Sequence, residues 1–167
     1  MLLDELLGHF GFNQEKTLHQ LVFLEVPAKV VGAELIYWGQ ASWWPPKVSF
    51  KLRRKTIGDL KVGTQYELKY QFPFSFSSEL EVTRYVPDRV IEHTFIKGAL
   101  RGQETILVEE RYNGTKISYT LKYRIKGLGR KILWSLLLGR LHSANIKMIL
   151  MSLKEHILKM QGDTTKS

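Results

Sequence analysis

The stretch TKISYTLKYRIKG (residues 115–127) alternates without a break. Ile117, Tyr119, Leu121, Tyr123 and Ile125 fall on one side, and Lys116, Ser118, Thr120, Lys122, Arg124 and Lys126 on the other. A strand sends successive side chains to opposite faces. This strand therefore has one apolar, aromatic face and one cationic face. The apolar face needs a cover, and what covers it decides the fold.

Five more segments before it share the period of two: VSFKLRRKTI (48–57), TQYELKYQF (64–72), SSELEVTRYV (77–86), RVIEHTFIK (89–97) and QETILVEERY (103–112). Turn-forming stretches such as GDLKVG, PFSF, PDR, KGALRG and NG separate them. Upstream, TLHQLVFLEV (17–26) is β-branched and apolar and predicts another strand. AKVVGAELIYWGQ (28–40) predicts a helix, opened by Pro27 and ended by ASWWPP. From about residue 130 to 160 the period becomes helical, over a length of about 45 Å. Strands followed by a helix that must pack on them give an α+β fold. The long C-terminal helix is the natural cover.

Turn counting predicts the register. A two-residue turn at Asn113-Gly114, a strong hairpin signal, sets Val108 opposite Tyr119, Ile106 opposite Leu121 and Glu104 opposite Tyr123. A two-residue turn at Gly98-Ala99 sets His93 opposite Glu104 and Phe95 opposite Gly102. One at Pro87-Asp88 sets Val82 opposite His93, Leu80 opposite Phe95 and Arg84 opposite Ile91. Paired residues share a face, so Leu80, Val82, Arg84, Ile91, His93 and Phe95 join Glu104, Ile106, Val108, Tyr119, Leu121 and Tyr123 on the inner surface. That surface is apolar except where His93, Glu104 and Tyr123 meet. A buried carboxylate without partners is costly. Two readings stay open: a satisfied core network, or polar groups that orient a ligand.

Composition excludes several classes. The chain has 167 residues, 44% hydrophobic, the size of one domain. It contains no cysteine, so disulfides and thiolate chemistry are out. No basic n-region opens the N-terminus, and the longest apolar run, around ILWSLLLG (132–139), is far short of the roughly 20 residues a membrane span needs. A cytoplasmic protein is the expectation. The five histidines show no HxxxH spacing, so no metal site and no cofactor is predicted. Neither GxSxG, GxxxxGK[ST] nor GxGxxG occurs. The net charge of +9 invites an anionic partner. No nucleic acid is expected, because the basic stretches 51–55 and 124–131 lack aromatic residues interleaved on one face. RKILWSLLLGR (130–140) places basic residues around an apolar patch, which suits peripheral contact with an anionic membrane.

The layout resembles the helix-grip fold of the START/SRPBCC superfamily, which includes birch-pollen-type allergens and polyketide cyclase/dehydrase-like proteins. The residues that carry the resemblance are EVPAKVV and ELIYWGQASWWPP after the first strand, then RYVPDRVIEHTFIKGALRG. NGTKISYTLKYRIKG and the terminal KILWSLLLGRLHSANIKMILMSLKEHI complete it. The likeness implies a curved, antiparallel, seven-stranded sheet wrapped around the C-terminal helix over residues 17–161. Residues 1–16 would be a helical extension and 162–167 a disordered tail. Between Trp38 and Val48 the segment is short, so the superfamily's usual second helix is expected as a turn.

The resemblance further implies a cavity between sheet and helix for a lipid, polyketide or other hydrophobic small molecule. Trp44, Tyr66, Val82, Phe95, Ile106, Tyr119 and Tyr123 would line it, with Leu137 and Leu141 from the helix. The expected function is binding or carriage. The alternative is a cyclase/dehydratase-like enzyme using His93 and Glu104 for proton transfer. An interaction module with a collapsed cavity is the third reading.

Overall fold

The computed structural model describes residues 15–71, 75–125 and 139–164. Seven strands form one antiparallel sheet: β1 (Lys16–Leu24), β2 (Phe50–Arg54), β3 (Gln65–Tyr70), β4 (Phe76–Val86), β5 (Val90–Gly98), β6 (Leu100–Arg111) and β7 (Gly114–Ile125). Helix α1 (Ala28–Leu35) follows β1, and α2 (Gly139–Thr164) closes the chain. The sheet order is β1-β7-β6-β5-β4-β3-β2. This is the α+β helix-grip architecture, a curled sheet with a long helix against it. The predicted start of the long helix, 130–138, and Leu137 with it, lie outside the described residues, as does the apolar patch assigned to membrane contact.

The period-2 pattern becomes a two-faced sheet. Val22, Leu24, Leu80, Val82, Ile91, Phe95, Ile106, Val108, Ile117, Tyr119, Leu121 and Tyr123 are all buried on the inner face. Helix α2 contributes Ile146, Ile149, Leu150, Leu153 and Ile157 at spacings of three and four, the pattern of one helical face. At about 25 cal/mol per Å² of apolar surface, each such side chain supplies about 1.5–3 kcal/mol.

Two local features correct the predicted register. A β-bulge at Thr83 falls between the Val82–His93 and Arg84–Glu92 pairs. One extra residue reverses the face that follows. Arg84 therefore points outward, not inward, and its guanidinium meets Glu92 at 3.1 Å. At the β6–β7 hairpin the turn residues are Tyr112 and Asn113, with Gly114 already opposite Arg111. The register moves by two, so every residue keeps its face but changes its neighbour. Val108 faces Ile117, Ile106 faces Tyr119, and Glu104 faces Leu121. Gly114 belongs inside the strand because a Cβ there would lie 2.1 Å from the Leu24 carbonyl oxygen of β1.

The predicted two-residue turn at Pro87-Asp88 takes in Arg89 as well, with Val86 opposite Val90, and the Thr83 bulge cancels that extra residue and restores the predicted offset beyond it. Val82 is opposite His93 and Leu80 opposite Phe95. His93 is opposite Glu104, while the β5–β6 ladder stops at Thr94–Gln103, one step short of Phe95–Gly102. At Gly102, φ is +133° and a Cβ would sit 2.0 Å from the Lys122 carbonyl oxygen. Only glycine lets β6 approach β7 this closely while it bends away from β5.

Helix α1 ends at Leu35, five residues before its predicted end. Trp38 N–H bonds to the Leu35 carbonyl and Gln40 N–H to that of Tyr37, tight turns that replace the α-helical ladder. Gly39 then takes φ +80°. The Ile36 carbonyl accepts instead from Arg54 of β2 at 2.5 Å. As expected, no helix forms between Trp38 and Val48; the segment is a run of turns. It is tied to both helices. Trp43 Nε1–H donates to Glu34 of α1 (3.0 Å), and Ser152 of α2 donates to the Trp43 carbonyl (2.6 Å). Asn145 of α2 donates to the Ser49 hydroxyl at 2.5 Å.

Candidate functional site

Beneath α2, the concave sheet face carries a line of buried polar side chains. His93 (β5) and Glu104 (β6) are neighbours across one rung. Their Nδ1 and Oε1 atoms are 2.8 Å apart, with the side chains 1% and 7% exposed. The two atoms are in close contact, but neither meets hydrogen-bond geometry with a partner among the described residues. His93 Nε2 also has no hydrogen-bond partner among the described residues. The edge of the Tyr66 ring packs on the imidazole at 5.2 Å, near perpendicular.

The other carboxylate oxygen has a complete connection. Tyr119 donates its hydroxyl to Glu104 Oε2 at 2.9 Å. His142 Nε2 lies 3.2 Å from the same tyrosine oxygen, and His142 Nδ1 contacts the Tyr70 hydroxyl. These contacts fix proton positions. Because Tyr119 gives its only proton to the carboxylate, its oxygen must accept from His142 Nε2–H. Neutral His142 then offers Nδ1 as the acceptor for Tyr70. Every donor in the chain points toward Glu104: Tyr70 to His142, His142 to Tyr119, Tyr119 to the carboxylate.

The titration shifts agree with that direction. Burial pushes the Glu104 carboxyl up. The electrostatic pull of His93, its close N–H contact and the Tyr119 hydrogen bond together outweigh burial, leaving the pKa below its ordinary value. Burial lowers His142 to about 4, although Glu104 pulls the other way. Burial raises Tyr119 and Tyr70 well above the usual phenol value, and the charge of Glu104 adds to both shifts. At neutral pH the line holds an ionised carboxylate, a neutral imidazole and two protonated phenols.

An aromatic wall surrounds it. Tyr119 stacks on Trp38 at 6.4 Å, and Trp38 meets Trp44 edge-on at 5.2 Å. Phe50 stacks on His142 at 5.5 Å, and Tyr70 on Phe76 at 4.7 Å. Of the residues singled out in the sequence, Tyr66, Val82, Phe95, Ile106, Tyr119 and Tyr123 are buried on this face. Trp44 and Leu141 are partly buried against the same core. The hydroxyl on Glu104 belongs to Tyr119 rather than to Tyr123, because of the two-residue shift in register. Sequence reading missed the roles of Tyr70 and His142. They are 72 residues apart, and the only local signal was a histidine on the apolar face of α2. Among the described residues, no three His, Asp or Glu side chains are placed to hold a metal ion, and no helix is long and apolar enough to cross a membrane.

No protein-family model matches the sequence, and no curated protein matches it significantly. Solved structures do share its shape. A protein from Thermus thermophilus superposes with a TM-score of 0.69 at 15% identity, over 87% of this chain and 99% of its own. The Zhui aromatase/cyclase of Streptomyces sp. R1128 gives 0.68 at 13% identity, over 87% and 95%. Norcoclaurine synthase from Thalictrum flavum, solved with dopamine and hydroxybenzaldehyde, gives 0.62 at 16% identity, over 89% of each chain. Identity this low establishes the fold alone. With the sheet order and the long terminal helix, it identifies the chain's architecture as the helix-grip fold.

Proposed function

We propose that the protein binds a hydrophobic small molecule, a lipid, polyketide or similarly apolar compound, between the concave sheet face and α2, as a cytoplasmic carrier or binding protein. The observation that carries this reading is the buried line of donors directed at Glu104 within an apolar, aromatic surface. Well-packed hydrophobic residues in place of a buried charged network are often as stable or more so. Ligand sites, in contrast, combine apolar walls with a few convergent polar groups of perturbed pKa. Residual exposure suggests where the ligand lies. Glu104 and Tyr123 keep 6% and Phe95 4%, while Val82, Ile106 and Tyr119 keep none. The polar end of the ligand is assigned to the Glu104–Tyr123 end of the sheet. Fold neighbours that handle small aromatic compounds, among them the synthase solved with dopamine and hydroxybenzaldehyde, support the choice.

A fluorescent long-chain fatty acid, titrated while tryptophan emission is followed, tests this. Trp38, Trp43 and Trp44 form one cluster with Tyr119, so bound probe should quench or shift their emission saturably at one equivalent. A linear, unsaturable response up to the probe's solubility limit contradicts the reading.

One observation favours a second reading, a cyclase/dehydratase-like enzyme. Glu104 Oε1 lies 2.8 Å from Nδ1 of His93, and neither ring nitrogen completes a hydrogen bond among the described residues. A histidine held in this way is a candidate general base. His93→Gln then separates the readings. A carrier should lose no more than a few-fold in probe affinity, whereas an enzyme should lose about 10²-fold or more in turnover.

A further inference from the structure

The convex face of the sheet carries its charges unevenly. Toward the end where β3 meets β4 and β5 meets β6, two rungs set like charges directly opposite: Lys51 with Lys69, and Arg101 with Arg124. Such rungs destabilise a sheet. At the other end the opposed charges are unlike and bonded, Arg84 to Glu92 at 3.1 Å and Lys116 to Glu109 at 2.7 Å. Glu67 and Glu79 also oppose each other, but each holds a cation, Arg53 at 3.0 Å and Lys55 at 3.2 Å. Among the described residues, no carboxylate pairs with Lys51, Lys69, Arg101, Lys122 or Arg124, and Lys97 reaches Glu79 only at 3.9 Å. These cations run from β2 to β7, five strand spacings or about 24 Å. Within the band a second bulge, at Ile96, falls between the Glu79–Lys97 and Leu80–Phe95 pairs. The extra residue leaves Ile96 43% exposed beside Lys97.

We propose that this cationic band docks the protein on an anionic lipid bilayer, with Ile96 entering the headgroup region. Three observations select this partner. The first is charge. An anionic surface relieves the repulsion within both like-charge rungs at once, and basic residues close to anionic headgroups attract strongly. The second is width. A band about 24 Å across is too broad for a single phosphate group, whereas a bilayer presents anions along all of it. The third is surface chemistry. One exposed aliphatic side chain set among cations suits the boundary between headgroups and acyl chains. Nucleic acid is disfavoured, because the band has no exposed aromatic side chain on which a base could stack. The exposed aromatic residues among those described are Tyr37, just after α1, and Tyr112, in the β6–β7 turn. Docking of this kind goes beyond ligand binding and does not rest on it, so either can fail alone.

Co-sedimentation of the full chain with vesicles of phosphatidylcholine containing about 30% phosphatidylserine tests this. The unmodified chain should bind them saturably, release as salt is raised, and ignore pure phosphatidylcholine. At about fivefold per basic residue, Arg101→Gln/Arg124→Gln should weaken partition about 25-fold, and Lys51→Gln/Lys69→Gln should do the same. Lys29→Gln/Arg89→Gln removes equal charge at the opposite end, beside the β4–β5 turn, and should cost no more than about twofold, since distant charges are screened. Ile96→Ser should weaken binding a few-fold and leave the salt dependence unchanged. The two band variants should also unfold at a slightly higher urea concentration, because a repulsion is removed. A lower one would mean that the rungs hold the fold together, against the proposal. No binding to the anionic vesicles overturns it. So does an equal loss in the Lys29/Arg89 variant, which would reduce the effect to the net charge of +9. Retention on immobilised polyglutamate that the band variants lose, with no vesicle binding, overturns it in favour of an acidic protein partner.

Discussion

Glu104→Leu is expected to destabilise the protein by about 3–5 kcal/mol, the usual consequence of removing one member of a buried charged pair. The cause is what stays behind. Tyr119 loses the acceptor at 2.9 Å, and His93, 1% exposed, loses the carboxylate oxygen 2.8 Å from its Nδ1. Each buried polar group left unpaired costs about 1–3 kcal/mol. Glu104→Gln keeps an acceptor for Tyr119 while removing the charge, so it should fall between Glu104→Leu and the unmodified protein. Urea unfolding at pH 7 measures all three. If Glu104→Leu lies within about 1 kcal/mol of the unmodified protein, the network has been misread and Glu104 is in contact with water.

The second large effect is a loss of stability with acid that depends on His142. Its pKa is about 4 when folded, against 6.5 for an ordinary histidine. Above pH 6.5 the ring is neutral in both states and contributes no pH dependence. Between pH 6.5 and 4 the unfolded chain takes up a proton that the native chain does not, so stability falls as pH falls. Below about 4 both states are protonated, and this contribution levels off. Across the window the loss is about 3 kcal/mol. Glu104, whose carboxyl is also depressed, adds a further loss below its unfolded value near 4.5, with the same sign. His142→Phe removes the first of these contributions. It should be less stable at pH 7, because the Tyr70 hydroxyl and the Tyr119 oxygen both lose the ring. Between pH 6.5 and 4.5, however, its stability should be nearly flat compared with the unmodified protein. Parallel slopes for the two proteins would show that His142 titrates normally and is not locked in the network.

The parts of this site that could be read from the sequence were those set by local geometry. Strand parity placed Val82, Phe95, Ile106 and Tyr119 on the buried face. Counting from Gly98-Ala99 placed His93 opposite Glu104, and that offset is kept although the β5–β6 ladder stops at Thr94–Gln103, short of the turn. Where the local rule gave the wrong answer, a contact from elsewhere in the chain or an inserted residue was responsible. The Asn113-Gly114 signal mislocated the hairpin turn because the backbone of β1 passes within 2.1 Å of a Cβ position at Gly114, drawing that glycine into the strand. Arg84 was assigned to the core because a bulge such as the one at Thr83 leaves the residue pattern on either side unchanged. The meeting of His142 with Tyr70 and Tyr119 depends on the rotation and height of α2 over the sheet. Periodicity gives the buried face of a helix but not the rung it rests upon.

Native mass spectrometry of the protein as purified without detergent tests the central claim most directly. A carrier with a polar-lined apolar site should retain a single organic adduct that is lost on denaturation, or acquire one equivalent of a long-chain fatty acid or fused-ring aromatic on incubation. The unliganded mass alone, both as isolated and after exposure to both kinds of compound, would contradict ligand binding beneath α2 and leave the Glu104 network as a structural feature of the core.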